Sequence, residues 1–120
     1  MSEPTLEFRA IGDEDLQSIV CLLSLGMCRA LRDGTVSPAY ACHRLFGPAV
    51  ITRLREAGAP SGLLDALNLA SELDAVARLV PHEFEETLGD LESRLVDSMR
   101  KLNLVEVRGE KWLQPTPSSI

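Results

Sequence analysis

The stretch Ile19-Val20-Cys21-Leu22-Leu23-Ser24-Leu25-Gly26-Met27-Cys28 decides the fold class. A membrane span needs ~20 apolar residues. This run is about half that, and Ser24 and Gly26 interrupt it. It sits inside a longer helical pattern that begins at Asp13-Glu14-Asp15 and carries Leu16, Ile19, Val20, Leu23, Met27, Ala30 and Leu31. Asp13 can cap the free amides, and its acidic neighbours complement the helix dipole. Gly34 suits the left-handed position that commonly ends a helix. Apolar residues surround most of the helix from Ile19 to Cys28, which predicts a central helix packed on by others. Gly26 is a poor helix former, and its presence predicts a close helix crossing.

Working outward, Ser37-Pro38 reads as a capping serine followed by proline at the first helical position. Tyr40, Ala41, Leu45 and Phe46 supply that helix's apolar face. Pro48 opens the next helix, to Ala57, with Val50, Ile51 and Leu54 inward. Ser61 then caps one helix running to Val80, which Pro81 closes. In the last helix Phe84, Leu88, Leu91, Leu95, Met99 and Leu102 recur at spacings of three and four, one face of an α-helix. The ends differ. Residues 5–11 and Leu104-Val105-Glu106-Val107 alternate weakly, and Arg108-Gly109 could turn the chain into Glu110-Lys111-Trp112-Leu113. The expected fold is mainly α: one domain over residues 1–120, a compact bundle of about five helices. Residues 1–12 and 103–120 are peripheral, with room for a small hairpin near the C-terminus that the N-terminal segment could join. Residues 114–120 are expected to fray.

The chain has 120 residues and a net charge of −6. Phosphate contacts need positive surface and base stacking needs aromatics, which are only 4% here, so no nucleic-acid partner is expected. Three cysteines are too few and odd in number for a disulfide framework. Met1-Ser2-Glu3-Pro4 has neither the basic nor the apolar region of a secretory signal. A reduced, cytoplasmic protein without a membrane partner is expected.

Catalytic signals are sparse. Cys21 and Cys28 share a helix face but lack companion ligands at zinc spacing, and buried cysteine usually packs as a small hydrophobe. Cys42 and His43 are adjacent and point about 100° apart on a helix, so they make a poor nucleophile–base pair. Phosphate-cradling loops and the nucleophile elbow are absent from the sequence. Neither an enzyme nor a cofactor or metal site is expected.

Charge is distributed unevenly. From Asp65 to Asp97 nine acids face two arginines, a net −7, whereas from Met27 to Ala57 five arginines face two acids, a net +3. Glu72, Asp74, Glu83, Glu85, Glu86, Asp90 and Glu92 are the candidate partner-binding residues. Three readings apply to them. They complement a helix dipole and form surface pairs, Asp90–Arg94 and Asp97–Lys101. Alternatively, Glu83, Glu86 and Asp90 fall at i, i+3 and i+7, where they could hold Mg²⁺. The words Glu85-Glu86-Thr87-Leu88-Gly89-Asp90-Leu91 resemble the acidic helix of all-α, MazG-type nucleoside-triphosphate pyrophosphatases, which implies a Mg²⁺-dependent hydrolase. That family's second Glu-x-x-Glu pair has no counterpart here, since Glu72 and Asp74 are two apart. Third, a dense acidic patch steers a basic protein into contact.

Over residues 16–102 the chain also resembles a family of small bacterial proteins of unknown function. The resemblance rests on Leu22-Leu23-Ser24-Leu25-Gly26-Met27, Ala30-Leu31-Arg32-Asp33-Gly34, Leu45-Phe46-Gly47-Pro48, Ser71-Glu72-Leu73-Asp74, Leu79-Val80-Pro81 and the Glu-rich last helix. The N-terminal segment and the Trp112 tail lie outside it. It implies an immunity-type factor that covers the active site of a cognate toxin, for example a cationic nuclease. A structural homodimer is a third class.

Overall fold

A computed structural model describes residues 3–104 and 109–115. Six α-helices are formed among them: α1 (Asp13–Arg32), α2 (Pro38–Arg44), α3 (Pro48–Glu56), α4 (Ser61–Ser71), α5 (Leu73–Leu79) and α6 (Phe84–Arg100). A 3₁₀ turn, Pro81–Glu83, leads into α6, and two short strands, β1 (Leu6–Phe8) and β2 (Leu113–Pro115), lie near the ends.

The last helix follows its periodicity. Leu88, Leu91 and Leu95 are fully buried, and Phe84 and Met99 pack at the margins. Burying each such leucine contributes about 1.5–3 kcal/mol. They meet Leu63, Ala66, Leu67 and Ala70 of α4 on one side and Cys21, Cys28 and Leu31 of α1 on another. Because α6 packs against α1, α4 and α5, it is the central helix. This corrects the expectation that α1 is central. Helix α1 buries Ile19, Val20, Cys21, Ser24 and Cys28 but leaves Leu22 and Leu23 exposed on its other side. The expected close crossing at Gly26 is absent too, since a Cβ there would meet nothing within 4 Å.

The capping pattern is mostly as read. The Tyr40 amide donates to Ser37 Oγ at 3.0 Å, with Pro38 next in the first turn. Gly34 has φ +73°, and the Thr35 amide closes the end of α1 on the Ala30 carbonyl at 2.9 Å. At other termini the caps shift by one residue. Gly12, not Asp13, precedes α1, and Pro60, not Ser61, precedes α4.

Two further corrections concern continuity. The helix expected from Ser61 to Val80 breaks at Glu72, whose amide donates to the Leu69 carbonyl three residues back. The break keeps Leu73 fully buried and leaves Leu79 73% exposed. Gln114 and Pro115 are not frayed ends. They belong to β2, which runs antiparallel to β1 with Leu6 opposite Pro115 and Phe8 opposite Leu113. The Arg9 amide extends the ladder to the Trp112 carbonyl at 2.7 Å. The first arm and turn of the expected C-terminal hairpin, residues 105–108, fall outside the described residues, as do residues 116–120 of the expected frayed tail.

Candidate functional site

The seven candidate acids occupy three places. Glu72 and Asp74 lie at the break between α4 and α5. Glu72 is exposed, whereas Asp74 is half-buried and pairs with Arg78 at 3.7 Å. Glu83, Glu86 and Asp90 follow one face of the 3₁₀ turn and α6. With Leu69 of α4 they line an open groove of about 550 Å³. Asp90 is engaged by Arg94 at 3.3 Å, as expected for an i, i+4 pair. Asp97 differs from expectation: its partner is Arg100 at 3.5 Å.

Glu85 and Glu92 point another way, toward the end of α1. Glu92 accepts a hydrogen bond from Arg32. That hydrogen bond, then the charges of Glu92 and Glu85, favour the charged guanidinium. Glu92 thus joins two helices, while Glu85 stays exposed beside the pair. Glu72, Glu83, Glu85 and Glu86 form no salt bridge among the described residues. Three of these four, Glu83, Glu85 and Glu86, stand exposed at the 3₁₀ turn and the first turn of α6, a helix held from beneath by Leu88 and Leu91.

Among the described residues, no three His, Cys, Asp or Glu side chains come together as a metal site. Glu83, Glu86 and Asp90 share a groove, but Glu72 and Asp74 do not line it with them. Cys21 and Cys28 are fully buried. Burial pushes the Cys21 thiol up to about 11. Burial first, and then the Glu92 charge, pushes Cys28 up to about 12. Both therefore stay protonated at neutral pH and act as core packing rather than as nucleophiles. Cys42 is half-buried, with its Sγ 3.7 Å from the Ala70 carbonyl that it can donate to.

Most arginines of the middle segment are engaged locally. Arg29 is tied to Asp33 at 2.9 Å, Arg32 to Glu92 and Arg53 to Glu56 at 3.8 Å, and Arg44 lies 5.6 Å from the Tyr40 ring centre, whereas the exposed Arg55 forms no salt bridge among the described residues.

A second surface escaped the sequence reading. Where the β1–β2 ribbon lies over the first half of α1, Phe8, Leu22, Trp112 and Leu113 line a groove of about 730 Å³, with Glu14 and Asp15 at its edge. A smaller cleft of about 140 Å³ continues it along Ile19 and Leu23. Its signal was the all-round apolarity of α1, which the sequence reading assigned wholly to the core.

No helix among the described residues is long and apolar enough to cross a membrane. A family model described as "Protein of unknown function (DUF3969)" matches residues 12–114. The match encloses residues 16–102 and extends past them to include Trp112. No curated protein and no solved structure matches the chain.

Proposed function

The chain belongs to this family of unknown function, DUF3969, and from that premise we propose that it is a non-enzymatic binding protein of the immunity type, which neutralises a basic toxin by covering its active site. One observation carries the reading. Glu83, Glu85 and Glu86 are exposed at the start of α6 and form no salt bridge among the described residues, while the arginines of the middle segment are largely engaged locally. A local excess of unneutralised carboxylates on a rigid helix attracts a cationic cleft and speeds encounter, an effect that fades in salt. Occlusion needs no catalytic group from this chain. Asp90 lines the same groove as Glu83 and Glu86, Glu72 and Asp74 stand apart at the α4–α5 break, and Glu92 is tied to Arg32.

The test uses a basic protein captured by the wild-type chain from extract of the source cells and then purified. The wild-type chain should bind it and protect cells that express it. Reversal of Glu83, Glu85 and Glu86 to lysine should slow association about tenfold or more at low salt, and should lower the melting temperature modestly through the lost dipole complement without unfolding the domain. Unchanged association kinetics would remove these acids from the interface. Mg²⁺-dependent hydrolysis of a nucleoside triphosphate, lost in Glu86→Ala, would replace the binding reading by the hydrolase one.

A further inference from the structure

We propose that the groove between the β1–β2 ribbon and the first half of α1 is a separate docking surface, and that it takes an amphipathic helical segment of another protein with lysines or arginines flanking its apolar face. The proposal does not depend on the role of the α6 acids.

The apolar component comes first. Phe8, Leu22, Leu23 and Leu113 are all 39–55% exposed, and all line the groove or the cleft that continues it. A single exposed leucine is ordinary, but several gathered in one place mark an interaction surface. Phe8, Leu22 and Trp112 line both the large groove and the smaller cleft, so the two form one continuous depression. The depression is partly open to solvent, so apolar side chains carried on one face of a helix can enter it.

Charge selects the occupant. Among the described residues, Glu14, Asp15 and Glu110 line the groove, with Lys111 as its basic residue. A second copy docking about a two-fold axis would bring two rims of the same net negative charge together, and that repulsion opposes association. An anionic membrane surface meets the same repulsion. A cationic amphipathic segment satisfies both the apolar floor and the acidic rim.

Trp112 is the only tryptophan in the sequence and lines both parts of the depression, so its fluorescence reads the site directly. The probe is a synthetic leucine/lysine amphipathic peptide about 14 residues long, four helical turns, compared with its leucine/glutamate counterpart. The leucine/lysine peptide should shift Trp112 emission to the blue saturably and bind more weakly in salt, whereas the leucine/glutamate peptide should leave emission unchanged. Leu22→Gln, and separately the pair Glu14→Lys with Glu110→Lys, should each weaken binding about tenfold. Phe8→Ser on the ribbon provides an independent variant should Leu22→Gln disturb folding. Glu83→Lys with Glu86→Lys should leave the Trp112 response intact, which separates this site from the α6 surface. Four results would overturn the proposal: no emission shift, equal binding by the groove variants, a concentration-dependent shift of the protein alone that Leu22→Gln removes, or a shift with phosphatidylcholine vesicles in place of the peptide.

Discussion

Arg32, the last residue of α1, donates a hydrogen bond from its guanidinium to the carboxylate of Glu92, midway along α6 and sixty positions later in the chain. The pair joins the arginine-rich middle of the sequence to its acidic later half. It also sits over Cys28, at the edge of the α1–α6 packing. The two side chains are 39% and 28% exposed, so water screens much of the attraction. Arg32→Met and Glu92→Gln should each lower stability by about 0.2–1 kcal/mol. Urea denaturation of the two single variants and the double variant checks this, with a coupling energy of similar size that shrinks in salt. A purely additive double variant would show that the pair does not lock the two helices.

The buried thiols predict alkaline sensitivity. Ionisation of Cys21 and Cys28 is displaced upward from 9.0 to about 11 and about 12. Groups that hold their protons more tightly when folded contribute stability that is complete below the unfolded value of about 9 and is lost as pH rises toward the folded values. The melting temperature should therefore fall steeply between about pH 9 and pH 11, and less steeply in a Cys21→Ala, Cys28→Ala variant. Under native conditions near roughly pH 8, iodoacetamide should label Cys42 well before the other two cysteines, and all three after unfolding. Mass spectrometry distinguishes these patterns.

Two positions on α1 are open to improvement. Ser24 Oγ is buried without a hydrogen-bond partner among the described residues. Ser24→Ala should raise stability by about 0.5–1.5 kcal/mol, because it removes an unpaired hydroxyl and favours helix. Gly26 is exposed mid-helix, and an added Cβ meets nothing within 4 Å. Gly26→Ala should add about 0.5–1 kcal/mol. Thermal melts of both variants provide the check, and a fall at Gly26 would contradict the open space around that residue.

The centre of the bundle should be the least tolerant region. Leu91 of α6 is fully buried between α1 and α4. Leu91→Ala should cost about 2–5 kcal/mol, whereas Leu22→Ala, on the exposed side of α1, should cost far less. Equal losses at the two sites would contradict the assignment of α6 as the central helix.

The contrast between these two leucines also explains what the sequence disclosed. Along α6, apolar and charged residues alternate with a clear helical period, so its buried face was legible. So were the Ser37-Pro38 start and the Gly34 stop, because local steric and hydrogen-bonding rules govern them. The apolar residues of α1 carry no mark to distinguish those that face α6 from those that face the groove. The break at Glu72 does not disturb the apolar rhythm from Ala70 to Leu73, so periodicity ran through it. The partner of residues 113–115 lies more than a hundred positions away, beyond the reach of any local pattern. Among the acids, spacing puts Glu83, Glu86 and Asp90 on one face, and the three line one groove. Only the tertiary arrangement set Glu92 against Arg32.

The pairing of β1 with β2 has a consequence for the order of events during folding. Closing a loop that spans nearly the whole chain carries a large entropic penalty, and two strands of three residues cannot meet it alone. Helices form and pack on much shorter loops, and their packing brings the chain ends within reach of one another. The ribbon is then a late event, and the Phe8–Trp112 depression comes into being with it. A partly folded chain already carries every residue of that surface but does not yet display it, so the site reports that the whole domain has reached its native state.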